Sequence, residues 1–485
     1  MDLALFKGGN MAGIYRFINT TIPTKGCNLR CEYCYVRQWG EEERLEIDTE
    51  KTWYSYSLDH MLKALTVERM GGVCMFNLSA EGETLLSPYL FEIVTGLIQN
   101  GHYVAIISNC TVTNEIKKYI SLEQEMRNHL FFKASFHYRE LKKRGLLDTY
   151  SRNINLLKDN GISFSVELVS NDYILGEIEE VKTYSMREFG ALPHVLGGRE
   201  ETKKGKYPKY ETKLSDEEFH NVWGAFHSPL FDFQDTDYLT PHNKDFCYAG
   251  VYTGTFDLRT GDFSACPGNR IITNFFEDID NPIQFLPVGN MCPFPFCFCG
   301  FFLQVLAGSC CETYDPGYKF FEFRDRICTD GSHWLTPSIK EVFSHTCAEY
   351  HEKANEEQKQ LINAFLDIVY HGFDNNIDSE IIKTVNGFCE HRKINRAAVY
   401  GVSDLGKMLV KALEEVGVEV VCGIDKNYEK IQYSIPIVSP ENIPGDLDAV
   451  LVSAYGSYTS IANYLSENYP NIKVFSILDL LENYF

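Results

Sequence analysis

Between residues 14 and 200, short apolar runs alternate with amphipathic stretches of helical period, and this alternation restricts the fold more than any other feature of the chain. The runs Ile14–Thr21, Val73–Leu78, Tyr103–Ser108, Phe131–Phe136, Ile162–Val169 and Leu192–Leu196 read as strands. Segments such as Thr52–Arg69, Pro88–Gln99 and Tyr150–Asp159 read as helices between them. Strand and helix periods taken in turn predict βαβ units and a parallel sheet.

Six such units suit a partial (β/α)6 TIM-like barrel, so the expected class is α/β, with the barrel over residues 1–235. The polar stretch 197–215 reads as a loop. A Cys-, Gly-, Pro- and Phe-rich segment follows at 236–330, expected as a small α+β domain. Residues 331–390, with Asn355–Val369 as the clearest helix, read as a connector. Residues 391–485 form a second α/β pattern: Ala397–Tyr400, Val418–Ile424, Ala449–Ser453 and Lys473–Ile477 as strands, Leu405–Val416 as a helix.

The formal net charge of −22 disfavours nucleic acid and anionic lipid as partners, because like charges repel. No window of about 18 apolar residues predicts a membrane span. The opening MDLALFKGGN lacks the apolar core of a signal peptide, so a cytosolic protein is expected. In that setting the 16 cysteines point to metal ligation or redox chemistry rather than disulfides. Their placement is uneven: three fall in 27–34 and five in 292–311.

Cys27, Cys31 and Cys34 stand in the spacing C-x3-C-x2-C just after the first strand, in the run GCNLRCEYCY. Three thiolates can hold three corners of an iron–sulfur cube and leave one iron open. A structural zinc site would need a fourth ligand from elsewhere. CNLRCEYC resembles the radical S-adenosylmethionine (radical SAM) signature, with Tyr33 as the aromatic before the third cysteine and a contact for the cofactor. The run Ser79-Ala80-Glu81-Gly82-Glu83-Thr84 resembles the family's Gly-Gly-Glu-Pro motif, with Glu81 in place of the first Gly and Thr84 in place of the Pro. That resemblance makes Glu83 the carboxylate for the methionyl amino group of SAM.

Chemistry in (β/α) barrels gathers at the C-terminal ends of the strands. Those ends carry Cys27, Glu83, Ser108, Asn109, Ser135, His137 and Glu167. By resemblance, Ser108, Asn109, Ser135 and Glu167 are candidates for the ribose and carboxylate of SAM. His137 is a candidate to touch substrate or carry a proton. The resemblance implies a [4Fe–4S] cluster that binds SAM and cleaves it to a 5′-deoxyadenosyl radical, which abstracts a substrate hydrogen.

Cys247, Gly261 and Cys266 have the spacing C-x13-G-x4-C, with strand-like runs Val251–Phe256 and Phe263–Ala265 flanking a turn. A hairpin would bring both thiols together. The pattern resembles the opening of the SPASM and twitch extensions, which carry auxiliary iron–sulfur clusters. Cys292, Cys297 and Cys299 follow as C-x4-C-x-C instead of the full SPASM series. This favours one auxiliary [4Fe–4S] cluster held by Cys247, Cys266, Cys297 and Cys299, with Cys292 as the rival ligand and structural zinc as the alternative. Cys310 and Cys311 lie close enough in sequence to contribute.

In the tail, Gly401-Val402-Ser403-Asp404-Leu405-Gly406 follows a strand and opens a helix. It is a weakened G-x-G-x-x-G, with Asp425 at the end of the next strand as a ribose candidate. The unit resembles the Rossmann-like domains of sugar-modifying and nucleotide-sugar enzymes. Nucleotide binding and a docking or dimerisation role both remain open. The leading expectation is therefore a radical SAM oxidoreductase fed by a flavodoxin or ferredoxin. Only 26 residues precede Cys27, which leaves no room for a leading peptide-recognition domain and leans toward a carbohydrate or nucleotide-linked small molecule. A peptide maturase and a non-catalytic iron–sulfur or zinc protein are the alternatives.

Overall fold

The computed structural model describes residues 13–38, 54–198, 210–232, 246–266, 271–292, 323–345, 347 and 354–481. The chain divides into two compact units, one of residues 1–279 and 293–351, the other of 280–292 and 352–485.

The first unit is built on a nine-stranded sheet. Its strands are β1 (Arg16–Ile22), β2 (Cys74–Ala80), β3 (Tyr103–Ser108), β4 (Leu130–Ser135), β5 (Ser163–Val169), β6 (His194–Leu196), β7 (Thr253–Asp257), β8 (Asp262–Ser264) and β9 (Ile271–Asn274), in the order β6-β5-β4-β3-β2-β1-β7-β8-β9. The pairs from β6 to β1 are parallel and follow sequence order, which needs a crossover after each strand. This order is consistent with a partial TIM-like barrel. The crossover helix Leu90–Gln99 shows how the sequence specifies them: Leu90, Ile93, Val94, Leu97 and Ile98 form one buried stripe at helical spacing. Leu58–Ala64 is shorter than the expected 52–69 helix; Ser57 caps it by accepting from the His60 amide at 3.3 Å, and it ends at Leu65.

The cysteine-rich hairpin is not set apart from this sheet. β7 pairs in parallel with β1, Phe17 opposite Thr253 and Thr21 opposite Asp257, while β8 and β9 continue antiparallel. Backbone hydrogen bonding to β1 therefore carries residues 246–266 into the same unit as the parallel strands. The turn between β7 and β8 closes through Gly261, whose φ of +89° suits only glycine well.

The second unit has an all-parallel sheet in the order β12-β11-β10-β13-β14, from β10 (Arg396–Tyr400), β11 (Glu419–Ile424), β12 (Ile437–Val438), β13 (Ala449–Val452) and β14 (Lys473–Ser476). The order reverses beside β10, leaving a switch point at the carboxyl ends of β10 and β13. Helices Glu356–His371 and Ser379–Arg392, expected as a connector, belong to this unit. So does the segment 280–292: Asn290 and Asn363 bond each other, backbone amide to Oδ1 at 2.9 Å and Nδ2 to Oδ1 at 2.6 Å.

Candidate functional site

The loop that leaves β1 carries Cys27, Cys31 and Cys34, and the loop that leaves β2 is laced to it. The Gly82 amide donates to the Thr24 carbonyl at 3.0 Å and the Glu83 amide to the Gly26 carbonyl at 2.9 Å. A side chain at position 82 would not fit, because its Cβ would lie 2.1 Å from the Gly26 oxygen. The glycine of the degenerate motif thus lets two backbones meet. Thr24 and Ser87 join hydroxyls across the same seam.

Glu83 is the buried centre of this arrangement, 2% exposed. Its Oε1 accepts from the Leu85 amide at 3.0 Å and the Ser108 hydroxyl at 2.6 Å, and its Oε2 from the Asn109 amide at 2.8 Å. A carboxylate offers about four lone-pair directions, so three donors leave one. Burial nonetheless raises its pKa above the ordinary carboxylate range, against the pull of those donors. Among the described residues its hydrogen-bond donors are neutral, and a buried carboxylate is stabilised further by a cation.

Ser108 and Asn109 are both close to Glu83, and the structure shows how their groups are spent. The Ser108 hydroxyl donates to Glu83 and accepts from the Cys110 amide at 2.9 Å. Asn109 Nδ2 donates to Asn28 Oδ1 at 2.8 Å, while its own Oδ1 accepts from the Thr111 amide and hydroxyl at 3.1 and 2.6 Å. Asn28 closes the ring onto Thr111 at 2.7 Å. The cysteine loop is held on its other side by Glu140, which accepts from the Arg30 amide at 2.9 Å and pairs with Arg144.

The three thiols interact. Burial pushes Cys27 up to about 11, and the charges of Glu83 and Cys34 add to that while the Leu29 amide and Arg30 oppose it. Burial, then Cys27, Cys34 and Glu140, raise Cys31 further, and a hydrogen bond from Tyr33 pulls it back. Thiols gathered on one loop, with Cys31 buried and Cys27 and Cys34 partly so, are the donor set a soft polyvalent centre stabilises. An iron–sulfur cube fits it through Cys27, Cys31 and Cys34. Among the described residues no three His, Cys, Asp or Glu side chains converge as they would on one ion; thiols serving separate corners of a cube need not.

Tyr33 reaches from this loop to His137, its hydroxyl 2.7 Å from Nδ1. His137 precedes helix Tyr138–Lys143, and enclosure pushes its pKa down to about 4. Ser135 ends β4 opposite Glu167 on β5 and is half-buried. The Glu167 carboxylate is taken by Arg324 Nη1 at 2.6 Å and by the Ser165 hydroxyl at 2.6 Å.

Two residues that sequence patterns missed complete this region. Register places Asn19, Asn77, Lys133 and Ser165 on one face of four strands, where Val, Ile and Leu usually dominate. Asn77 Nδ2 donates to Asn19 Oδ1 at 2.9 Å, and Lys133 Nζ donates to Asn77 Oδ1 at 3.3 Å. A lysine inside Leu-Phe-Phe-Lys-Ala-Ser was the available signal for Lys133; Arg324 had none. Burial lowers the Lys133 pKa to about 7, Arg324 adds to that and Glu167 opposes it.

This shift has a measurable consequence. An unfolded lysine titrates near 10.4, so between about pH 7 and 10 the unfolded chain holds a proton that the folded chain lacks. Stability contributed at this site therefore rises with pH across that window. Lys133→Met should remove that rise. Urea unfolding of both proteins at pH 7 and 9.5 reads it as the difference between their slopes, and equal slopes would reject it.

At the hairpin, Cys247 stands six residues before β7 and Cys266 two residues after β8; Cys266 is buried and Cys247 partly so. Cys292 falls in the second compact unit. Cys297, Cys299, Cys310 and Cys311 lie outside the described residues. In the second unit, Gly401 has φ +89°, and a Cβ on Gly406 would lie 1.9 Å from the Gly401 oxygen. The Asp425 carboxylate is engaged by that turn: it accepts from the Val402 amide at 3.1 Å and the Asn427 amide at 2.8 Å.

Residues 21–181 match the family model described as Radical SAM superfamily. No curated protein matches the chain. Solved structures similar to it include SuiB of Streptococcus suis bound to S-adenosylmethionine, 13% identical over 57% of this chain and 67% of that one, with a TM-score of 0.37. Native anSMEcpe with bound AdoMet and Cp18Cys peptide is 15% identical over 54% and 78%, at 0.37. BtrN in complex with AdoMet and 2-DOIA is 11% identical over 56% and 82%, at 0.24. The family match spans about a third of the chain, and the family it points to implies a [4Fe–4S] cluster and SAM. Among the described residues no helix is long and apolar enough to cross a membrane.

Proposed function

We propose that the chain is a cytosolic radical SAM oxidoreductase in which Cys27, Cys31 and Cys34 hold the cluster and Glu83 receives the amino group of SAM. When bound, cluster and SAM supply a 5′-deoxyadenosyl radical that abstracts a substrate hydrogen. The observation that carries this reading is the carboxylate of Glu83, buried beside the thiol loop and fixed by three donors that are all neutral among the described residues. Ser108 and the Asn109 amide aim that carboxylate; Asn28, Thr111 and Glu140 hold the thiol loop against it. Because these contacts exist within the protein, the site is preorganised and spends little binding energy on ordering itself.

Cys247 and Cys266 suit a twitch-like auxiliary [4Fe–4S] cluster, with Cys297 and Cys299 as the remaining ligands. Such a cluster would take an electron from the substrate radical and make the net reaction a two-electron oxidation. A flavodoxin or ferredoxin would supply the electron that starts the cycle. The second unit is Rossmann-like in strand order and in the Gly401–Gly406 turn, which favours a carbohydrate or nucleotide-linked substrate. Asp425 accepts one backbone amide on each oxygen, which leaves lone pairs on both for a ribose hydroxyl.

The test is anaerobic reconstitution followed by SAM and dithionite. Equal amounts of 5′-deoxyadenosine and methionine should accumulate. A protein that retains tetrahedral zinc at the three thiols, or that leaves SAM intact with a full cluster, would overturn the reading.

A further inference from the structure

We propose that the exposed cationic face formed by Arg139 and Lys143, beside the Arg30 guanidinium on the thiol loop, is the docking surface for an acidic flavodoxin that delivers the electron to the cluster. This rests on the function proposed above, which needs one electron from outside the chain, and it names where that partner binds.

The thiol loop and helix Tyr138–Lys143 are joined by hydrogen bonds. The Arg30 amide donates to Glu140 at 2.9 Å, and the Tyr33 hydroxyl lies 2.7 Å from Nδ1 of His137, the residue that precedes the helix. Arg30 is exposed, and its Nη1 donates to the carbonyls of Cys27 and Leu29, the latter at 2.9 Å. An exposed guanidinium therefore rests on the backbone of a proposed cluster ligand. Arg139 and Lys143 are four residues apart, so they share one face of the helix, and both are exposed. Arg139 also donates to the Tyr173 carbonyl and stands 3.9 Å from Glu32, a loose pair open to solvent. Lys142 turns instead to Glu177 and Glu180.

Charge identifies the partner. Around the loop, Arg30, Arg139, Lys143 and Arg144 stand against Glu32 and Glu140, a local excess of two positive charges on a chain of formal charge −22. Most of such a chain repels an acidic protein, so a small cationic face at the thiol loop steers that partner to the place where its electron is used. Tyr35, 42% exposed, directly follows the last of the three thiols. Its ring is a platform for a planar aromatic such as a flavin, and an inorganic cluster offers no such face, which selects flavodoxin over ferredoxin. On docking, the flavin is oxidised by one electron and the cluster reduced by one; no bond breaks and no proton need move.

The experiment measures binding of oxidised flavodoxin to the reconstituted full chain by isothermal titration calorimetry, and 5′-deoxyadenosine formation driven by reduced flavodoxin or by dithionite. Arg139→Glu/Lys143→Glu should raise the Kd about tenfold or more and slow the flavodoxin-driven reaction, while the dithionite-driven reaction keeps its wild-type rate. Raising salt from about 50 to about 300 mM should weaken wild-type binding and narrow the gap between the two proteins. Tyr35→Ala should weaken flavodoxin binding severalfold. An unchanged Kd in the double variant would overturn the proposal, and so would an equal loss under both reductants, which would mean damage to the cluster site. If the double variant fails to fold, Lys143→Glu alone decides the matter by the same two readings. A ferredoxin that binds more tightly, and loses that binding in the double variant, would overturn the choice of flavodoxin. A wild-type chain that forms no 5′-deoxyadenosine with dithionite would instead reject the function on which the proposal rests.

Discussion

Alanine at position 83 should destabilise the folded chain by about 3 kcal/mol and weaken SAM binding by roughly ten- to a hundredfold. The stability term follows from what the carboxylate does inside the protein. It caps the short turn Thr84–Leu86 through the Leu85 amide, and it receives the Ser108 hydroxyl and the Asn109 amide. Removing it leaves three buried donors without their acceptor, each costing about 1–3 kcal/mol, while relieving the burial of a charge. The two terms oppose each other, so the net loss falls below the sum of the donors. The binding term is that of one charge-assisted hydrogen bond to an ammonium group. Glu83→Gln separates the two. Its amide still accepts on one oxygen but turns an NH2 toward donors, so stability should fall by only about 1 kcal/mol while SAM affinity falls as far as in the alanine variant. Urea unfolding of the apoprotein and equilibrium SAM binding to the reconstituted protein measure them. A glutamine variant that binds SAM normally would remove Glu83 from the cofactor site.

The same residues show what can be read from a single chain. Alternating apolar runs located the six parallel strands to within a few residues, because burial on both faces leaves a dense hydrophobic record. Cys27, Cys31, Cys34 and Glu83 drew notice through motif spacing, and the structure adds that the two loops carrying them are laced together. Ser108 and Asn109 were placed at a strand end, but position could not reveal that they spend their groups on Glu83 and Asn28, since hydrogen-bond partners 25 and 81 residues away leave no local pattern. The hairpin was legible as a hairpin; its attachment to β1 was not, because backbone pairing with a strand more than 200 residues earlier carries no side-chain signature. Helices 356–371 and 379–392 read correctly as helices, while their membership in the second unit depends on contacts such as Asn290 with Asn363.

Arg324 illustrates the same limit and gives the other large effect. It is fully buried and pairs with Glu167 at 2.6 Å, with Lys133 close enough to feel both charges. Breaking such a pair from one side typically costs 3–5 kcal/mol, because the remaining charge stays buried. Arg324→Met should therefore destabilise the chain by about 4 kcal/mol. It should also raise the Lys133 pKa, since Arg324 now holds it down while Glu167 holds it up. Part of the loss is recovered through that shift, so the variant should be less impaired at pH 7 than at pH 9.5, where a free lysine amine no longer answers Glu167. The double variant Glu167→Gln/Arg324→Met replaces the pair with neutral groups and should recover about 2 kcal/mol or more relative to the sum of the single changes. SAM binding by that double variant then assigns Glu167. If its carboxylate serves chiefly to bridge Arg324 and Ser165, affinity returns with stability; if it also meets the ribose, stability returns and affinity does not.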